Sequence, residues 1–297
     1  MICKLHNSAI DKKKWDTLVQ NSPYADVYAL SPFLDVVCPD WCGLILGDYE
    51  AIMPLPVKKK FFLTYIVQPV FSQQYRIYSQ RNISIQEVDL FRKEILRYRF
   101  VRLCLSLSLF DSAVQRHNFS LDLSKPYDEL VQGYSENTRR NIHKAEKLGL
   151  HCRQVVDRDM ALDTFFAADV RRNYVPYEKQ IRTLVKCCQS EIFIAFADTT
   201  PCAVAIFLKT QNRLYYLFPA STEDGKKISA MFLLVDTVIR TYAGTQFALD
   251  FEGSEIDGIR RFYEGFGAIG TPYYFFKKNL LSQFGGFLKQ RQIFFFL

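Results

Sequence analysis

The sequence predicts an α/β (α+β) protein of two units, each a mixed, mostly antiparallel sheet flanked by helices. Three observations predict it. The chain has 297 residues, and a single domain usually takes about 100–200. Short runs rich in strand formers are separated by hairpin-sized turns. Between them lie segments whose apolar residues recur every three to four positions, the period of a helix. Hydrophobic residues make up 49% and charged residues 23%. That composition excludes a disordered chain, a collagen and a coiled coil.

In the first third, Lys12–Gln20 and Pro32–Val37 read as short helices. Gly43–Gly47, Ala51–Val57 and Phe61–Val67 read as strands, with Asp48-Tyr49-Glu50 as a hairpin turn. Ile85–Tyr98 has helical spacing, and Phe100–Ser108 alternates Val101, Leu103, Leu105 and Leu107. A boundary falls near Asp111–Asn118, which places one domain at 1–117 and a second at 118–280. In the second domain, Ser135 caps a helix that stops at Gly149. Ala161–Tyr174 and Tyr177–Cys188 read as helices, followed by strands Glu191–Ala197, Cys202–Lys209 and Arg213–Phe218. A polar turn over Ser221–Lys227 leads into a long helix with Val235, Val238 and Ile239 on one face. Strand Gln246–Phe251, helix Ile256–Phe266 and strand Gly270–Lys277 complete the unit. The first third repeats this order of elements as a worn copy, without a repeat at the level of sequence.

The net charge of +7 permits an anionic partner without requiring one. No groove-reading module is present, so DNA is not expected as a partner. Eight cysteines show no CxxC pair and four histidines no metal-ligand spacing, so no metal is expected. The thiols are expected to be buried in a reducing compartment. No apolar run is long enough to span a membrane and the N-terminus lacks a signal peptide's apolar block. The expected location is the cytoplasm, or the inner face of the membrane. Residues 281–297 form a basic aromatic tail with Phe284, Phe287 and Phe294-Phe295-Phe296. The tail suggests a peripheral membrane contact, and packing on its own domain is the alternative.

Four stretches can carry chemistry. At the end of the apolar strand Arg213–Phe218, the turn Gly225-Lys226-Lys227-Ile228-Ser229-Ala230 opens a helix. Free N–H groups at a helix start favour an anion, and small residues admit a pyrophosphate; a solvated turn is the alternative. Asp250 and Glu252 stand at the end of a strand, where carboxylates often face a cleft. Tyr263 on the next helix can protonate a leaving group, or be a core aromatic. Arg140, Lys144 and Lys147 form a basic stripe, with Arg139 beside it. Such a stripe can hold phosphate or carboxylate, or be a solvated face.

These residues carry a resemblance. The order of elements over 119–280, with the turn Gly225–Ala230, resembles the GNAT acyltransferase fold. Lys226-Lys227-Ile228-Ser229-Ala230 occupies the place of that family's R/Q-x-x-G-x-G/A pyrophosphate turn, with Ser229 for the usual glycine. Arg260–Phe266 resembles the family's later helix, and Tyr263 matches its general acid. Asn137–Gly149 and Asp250–Ser254 resemble stretches of the Fem-type peptidoglycan aminoacyltransferases, which carry two GNAT-like units in tandem.

The resemblance implies acyl transfer from acetyl-CoA or another acyl-CoA to a small-molecule or lipid-linked amine, in a cell-envelope setting. The Gly225–Ala230 turn would hold the donor's phosphates, and the backbone of Phe218–Ala220 its pantetheine arm. Tyr263 would protonate the leaving group, and Asp250 or Glu252 would take the amine's proton. Arg139, Arg140 and Lys144 would orient an anionic acceptor. A Fem-type enzyme would instead take its acyl group from aminoacyl-tRNA, with a peptidoglycan precursor as acceptor. A non-catalytic GNAT-like binding protein is the third reading.

Overall fold

The computed structural model describes residues 2–280. In chain order its elements are β1 (Ile2–His6), α1 (Lys12–Asn21), α2 (Ser31–Val37), β2 (Cys42–Leu46), β3 (Ala51–Leu55), β4 (Val57–Lys60), β5 (Leu63–Val67), α3 (Ile85–Leu96), β6 (Phe100–Leu105), β7 (Val114–Asp122), α4 (Tyr127–Gln132), α5 (Glu136–Lys147), β8 (Leu150–Gln154), α6 (Arg158–Ala168), α7 (Glu178–Cys187), β9 (Ser190–Ala197), β10 (Thr200–Lys209), β11 (Arg213–Ser221), α8 (Glu223–Lys227), α9 (Ala230–Tyr242), β12 (Ala248–Gly253), α10 (Asp257–Glu264) and β13 (Ile269–Asn279). The chain divides into two compact units. Of the described residues, the first takes 2–117 together with 272–280, and the second takes 118–271. Residues 272–280, assigned from sequence to the second domain, therefore group with the first unit.

The first unit holds an antiparallel sheet β1-β2-β3 and a second set of strands in the order β4-β5-β6-β13. In that second set β5 and β6 are parallel and the other pairs antiparallel. The stretch Ala51–Val57, expected as one strand, is cut at Pro56, which has no N–H for a ladder. Trp15 and Trp41 anchor the core with ring centroids 4.9 Å apart. Each indole N–H is satisfied, by the Ala29 carbonyl at 2.7 Å and by Asp35 at 2.9 Å.

The second unit is a sheet in the order β7-β12-β11-β10-β9-β8. Its pairs are antiparallel except β11 with β12. The boundary expected near Asp111–Asn118 falls in that stretch, between His117 and Asn118, and lies inside strand β7. The helix expected over Ala161–Tyr174 ends at Ala168, because the Asp169 carboxylate accepts the N–H groups of Asn173 and Tyr174 and turns the chain. Ser135 caps α5 as the sequence predicts, its hydroxyl accepting from the Thr138 N–H. Helix α9 buries Leu234, Val235, Val238 and Ile239 in the core. It also buries Asp236, which accepts from the Tyr127 and Tyr134 hydroxyls at 2.8 and 3.0 Å.

No helix among the described residues is long and apolar enough to cross a membrane. All eight cysteines are free thiols. Burial pushes Cys38 and Cys104 up to about 11. Contrary to the expectation of buried thiols, Cys3 and Cys187 are exposed. The basic aromatic tail expected over 281–297 lies outside the described residues.

Candidate active site

The parallel ladder of the second unit is short. It runs from Arg213 opposite Ala248 to Tyr215 opposite Asp250 and goes no further. Beyond that point β11 continues to Ser221 along β10, through a bulge between the Ile206–Phe218 and Phe207–Tyr216 pairs. Strand β12 instead follows β7, with its own bulge between Asp250 and Glu252. Bulges bend and twist a strand, so the two strands part and open a split at the C-terminal end of the parallel pair. That is the usual place for a site in an α/β sheet.

The sequence assigned Asp250 and Glu252 alike to proton transfer, and the structure gives them different surroundings. The Asp250 side chain is 6% exposed and pairs with Arg213 Nη1 at 2.7 Å. It also accepts from Asn118 Nδ2 at 3.2 Å and from the Glu252 N–H at 2.9 Å. Three donors hold it, so Asp250 organises the split. Glu252 sits in the left-handed region at φ +63°, an uncommon place for a residue with a side chain. Such strain clusters at functional sites.

Tyr263 faces this split from α10. Its ring stacks on Phe251 at 5.0 Å and meets Tyr216 edge-on at 6.3 Å. Helix α10 is fixed at its C-terminal end by Gly265, whose carbonyl accepts the Ser135 N–H at 2.8 Å. A Cβ on Gly265 would lie 2.5 Å from Thr138 Oγ1. Burial raises the Tyr263 phenol well above its ordinary value, and the charges of Glu252 and Asp250 raise it further. Burial raises Tyr216 and Tyr174 as well, and the neighbouring Tyr263 and Tyr174 phenols raise Tyr216 further. The Glu252 charge bears on both Tyr174 and Tyr263. Sequence reasoning missed Tyr216 and Tyr174. Tyr216 looks like any strand aromatic, but Tyr174 precedes Val175-Pro176, a loop signal.

The turn assigned to the donor's phosphates is organised differently from the expectation. Ser221–Lys227 is largely helix α8, capped by Thr222, whose hydroxyl accepts the Gly225 N–H at 2.9 Å. Gly225 is needed for packing: a Cβ there would stand 2.0 Å from the Cys202 carbonyl oxygen. Lys226 pairs with Glu223 at 2.6 Å and Lys227 with Asp224 at 2.9 Å. The N–H groups of Lys226, Ile228 and Ser229 bond to carbonyls within the turn. Ser229 lies at φ +61°, which is what a glycine at that place would suit. Its hydroxyl reaches Asn141 Oδ1 on α5 at 2.7 Å. Ala230 is fully buried at the start of α9, where the first N–H groups have no intrahelical acceptor. Phe218 is also fully buried, against Phe165 and Tyr174. It and Ala220 align with Ile206 and Val204 of β10.

Each of the three basic residues assigned to the acceptor has a hydrogen-bond partner within the protein. Arg139 donates to the Val131 and Gln132 carbonyls at the end of α4. Arg140 holds Asn137 Oδ1 at 2.8 Å. Lys144 donates to the Lys227 carbonyl at 2.6 Å, which ties α5 to the turn between α8 and α9. Among the described residues no three His, Cys, Asp or Glu side chains gather as metal ligands.

Residues 133–255 match the family model described as acetyltransferase (GNAT) domain. That span holds α5 through β12, including the split. Among solved structures, FemX is similar at 14% identity, covering 93% of this chain and 98% of that one with a TM-score of 0.64. A C-terminal DUF2156 domain from Agrobacterium fabrum is similar at 11% identity and TM-score 0.59, covering 92% and 93%. A conserved protein of unknown function from Bacteroides thetaiotaomicron VPI-5482 is similar at 8% and 0.58, covering 91% and 97%. At these identities the likeness is one of fold, and it extends over both units. The comparison with proteins of curated function returns no match.

Proposed function

From the premise that residues 133–255 form a GNAT-type domain, we propose that the chain is an N-acyltransferase acting at the β11–β12 split. The observation that carries this reading is the parting of the parallel pair past Tyr215 and Asp250, with Glu252 and Tyr263 beside it. A donor laid along Phe218–Ala220 would bring its acyl carbonyl to the phenols of Tyr174, Tyr216 and Tyr263. The amine nitrogen attacks that carbon, a C–N bond forms and the carrier's bond to the carbonyl breaks. Glu252 accepts the proton shed by the amine, through water, and Tyr263 returns one to the carrier. Protonated phenols aimed at the carbonyl oxygen stabilise the charge that develops there.

Acyl-CoA is the donor the GNAT fold suggests. Two observations favour a second reading, an aminoacyl ester carried on tRNA. Both lysines of the turn are already matched by acids, which leaves less charge for a pyrophosphate. A phenol raised well above 10 suits an alkoxide leaving group better than a thiolate, whose conjugate acid lies near 8.5. Titration calorimetry with acetyl-CoA separates the two. Binding that weakens in Lys227→Ala and Ser229→Val supports the thioester donor. No binding, with amine acylation by charged tRNA that RNase abolishes, supports the ester. Transfer that survives Tyr263→Phe and Glu252→Gln unchanged refutes the catalytic assignment, and no transfer from either donor leaves a binding protein.

A further inference from the structure

The first unit carries a hairpin that acyl transfer does not use. Strands β4 and β5 pair from Val57 opposite Ile66 to Lys60 opposite Leu63, which leaves Phe61-Phe62 as a two-residue turn. Phe61 is 84% exposed, Phe62 is completely exposed, and Leu63 is 39% exposed. Lys58, Lys59 and Lys60 are exposed directly behind them, and residues 57–67 include no acid. Phe61 also adopts φ +53°. In two-residue hairpin turns that conformation belongs to Gly, Asn or Asp, and for a bulky residue it is an outlier. An exposed, strained phenylalanine next to a second exposed one contributes nothing to the core.

We propose that this hairpin docks the protein on a bilayer containing anionic lipid. Phe61, Phe62 and Leu63 form a continuous apolar tip suited to the headgroup and acyl boundary. The three lysines follow on the stem, at the depth of the lipid phosphates, whose charge they complement. Apolar tip first and cations behind is the order of depth in a membrane surface. A single-stranded nucleic acid would call for aromatic residues interleaved with the cations along a groove. The proposal stands independently of the acyl-transfer reading and of residues 281–297.

The test uses the full chain and vesicles of phosphatidylcholine, alone or mixed in equal parts with phosphatidylglycerol. Phe62→Trp places a reporter at the tip. The native Trp15 and Trp41 are both 0% exposed, so their emission stays constant on vesicle addition. The expected result is a blue shift of the new emission on anionic vesicles and quenching by brominated acyl chains. Sedimentation should show a loss of roughly fivefold per lysine, about a hundredfold for Lys58→Gln/Lys59→Gln/Lys60→Gln. Phe61→Ser/Phe62→Ser should lose about tenfold or more. A vesicle contact made through residues 281–297 would leave the Phe62→Trp emission unmoved and overturn the proposal. So would hairpin variants that lose affinity for bulk tRNA while vesicle sedimentation is unchanged.

Discussion

Asp250→Ala separates architecture from chemistry at the split. The carboxylate holds a charge-assisted bond from Arg213 and two neutral bonds, from Asn118 and the Glu252 N–H. The charged bond contributes about 1.5–3 kcal/mol, and each neutral bond lost costs about 1 kcal/mol. The Arg213 side chain is 33% exposed, so water meets part of its need and the charged contribution falls toward its lower end. The sum is a destabilisation of about 3–4 kcal/mol. With a urea m-value of about 2 kcal/mol/M, the unfolding midpoint of the second unit should drop by roughly 1.5–2 M. Glu252→Gln, in the same assay, should stay within about 0.5 kcal/mol of the parent and lose transfer activity instead. An Asp250→Ala protein with an unmoved midpoint would show that these three bonds do not hold the strand. The reverse pattern for Glu252, stability lost and turnover kept, would refute its assignment as the proton acceptor.

Alkaline pH should unfold the second unit. Tyr134, Tyr216 and Tyr263 are buried and Tyr174 is half-buried, all with phenols raised above the ordinary value of 10.0. Below pH 10 both states keep these protons and stability is level. Above it the unfolded chain releases protons that the folded one retains, so stability falls by up to roughly 1.4 kcal/mol per pH unit for each phenol. The last part of the rise in absorbance at 295 nm should come only with the loss of circular dichroism above pH 10; a complete tyrosine titration in a folded protein would contradict this. Gly225→Ala should lower the melting temperature and displace α8, because its methyl group would stand 2.0 Å from the Cys202 carbonyl oxygen; an unchanged melt would show that the backbone yields there. Phe61→Gly should stabilise the first unit by about 1 kcal/mol by relieving its positive φ while weakening vesicle binding. A melt that falls on this change would show that the phenylalanine serves the fold.

The interior strands were legible because they are apolar throughout, as Ala203–Leu208 is. The strands missed were those with mixed surfaces. β1 and β8 each lie at the end of a strand order, and Ile2–His6 and Leu150–Gln154 are polar enough to read as loop. β7 is not legible as a strand because Gln115, Arg116 and His117 interrupt its alternation. In the candidate site, Tyr263 and Glu252 stand out in the sequence by their place on a helix and at the end of the strand before it. The division of labour between Glu252 and Asp250 does not, because Arg213 and Asn118 reach Asp250 across separations of 37 and 132 residues. The lysines of the turn looked free for the same kind of reason. An i,i+3 pairing with Glu223 and Asp224 appears only once Glu223–Lys227 is known to be helical.

The grouping of residues 272–280 with the first unit sets a timetable for synthesis. β13 lies against β6, with Tyr274 opposite Leu105 through Asn279 opposite Phe100. When the ribosome has made residues 1–117, β6 still lacks that neighbour. The whole of 118–271 must emerge before it arrives, roughly 10–30 s at about 5–20 residues per second. Over that interval the second unit, contiguous in sequence, can finish folding while the first waits as an open edge. A nascent chain in this state exposes β6 to any other strand in reach. A fragment ending at residue 117 would keep that exposure permanently.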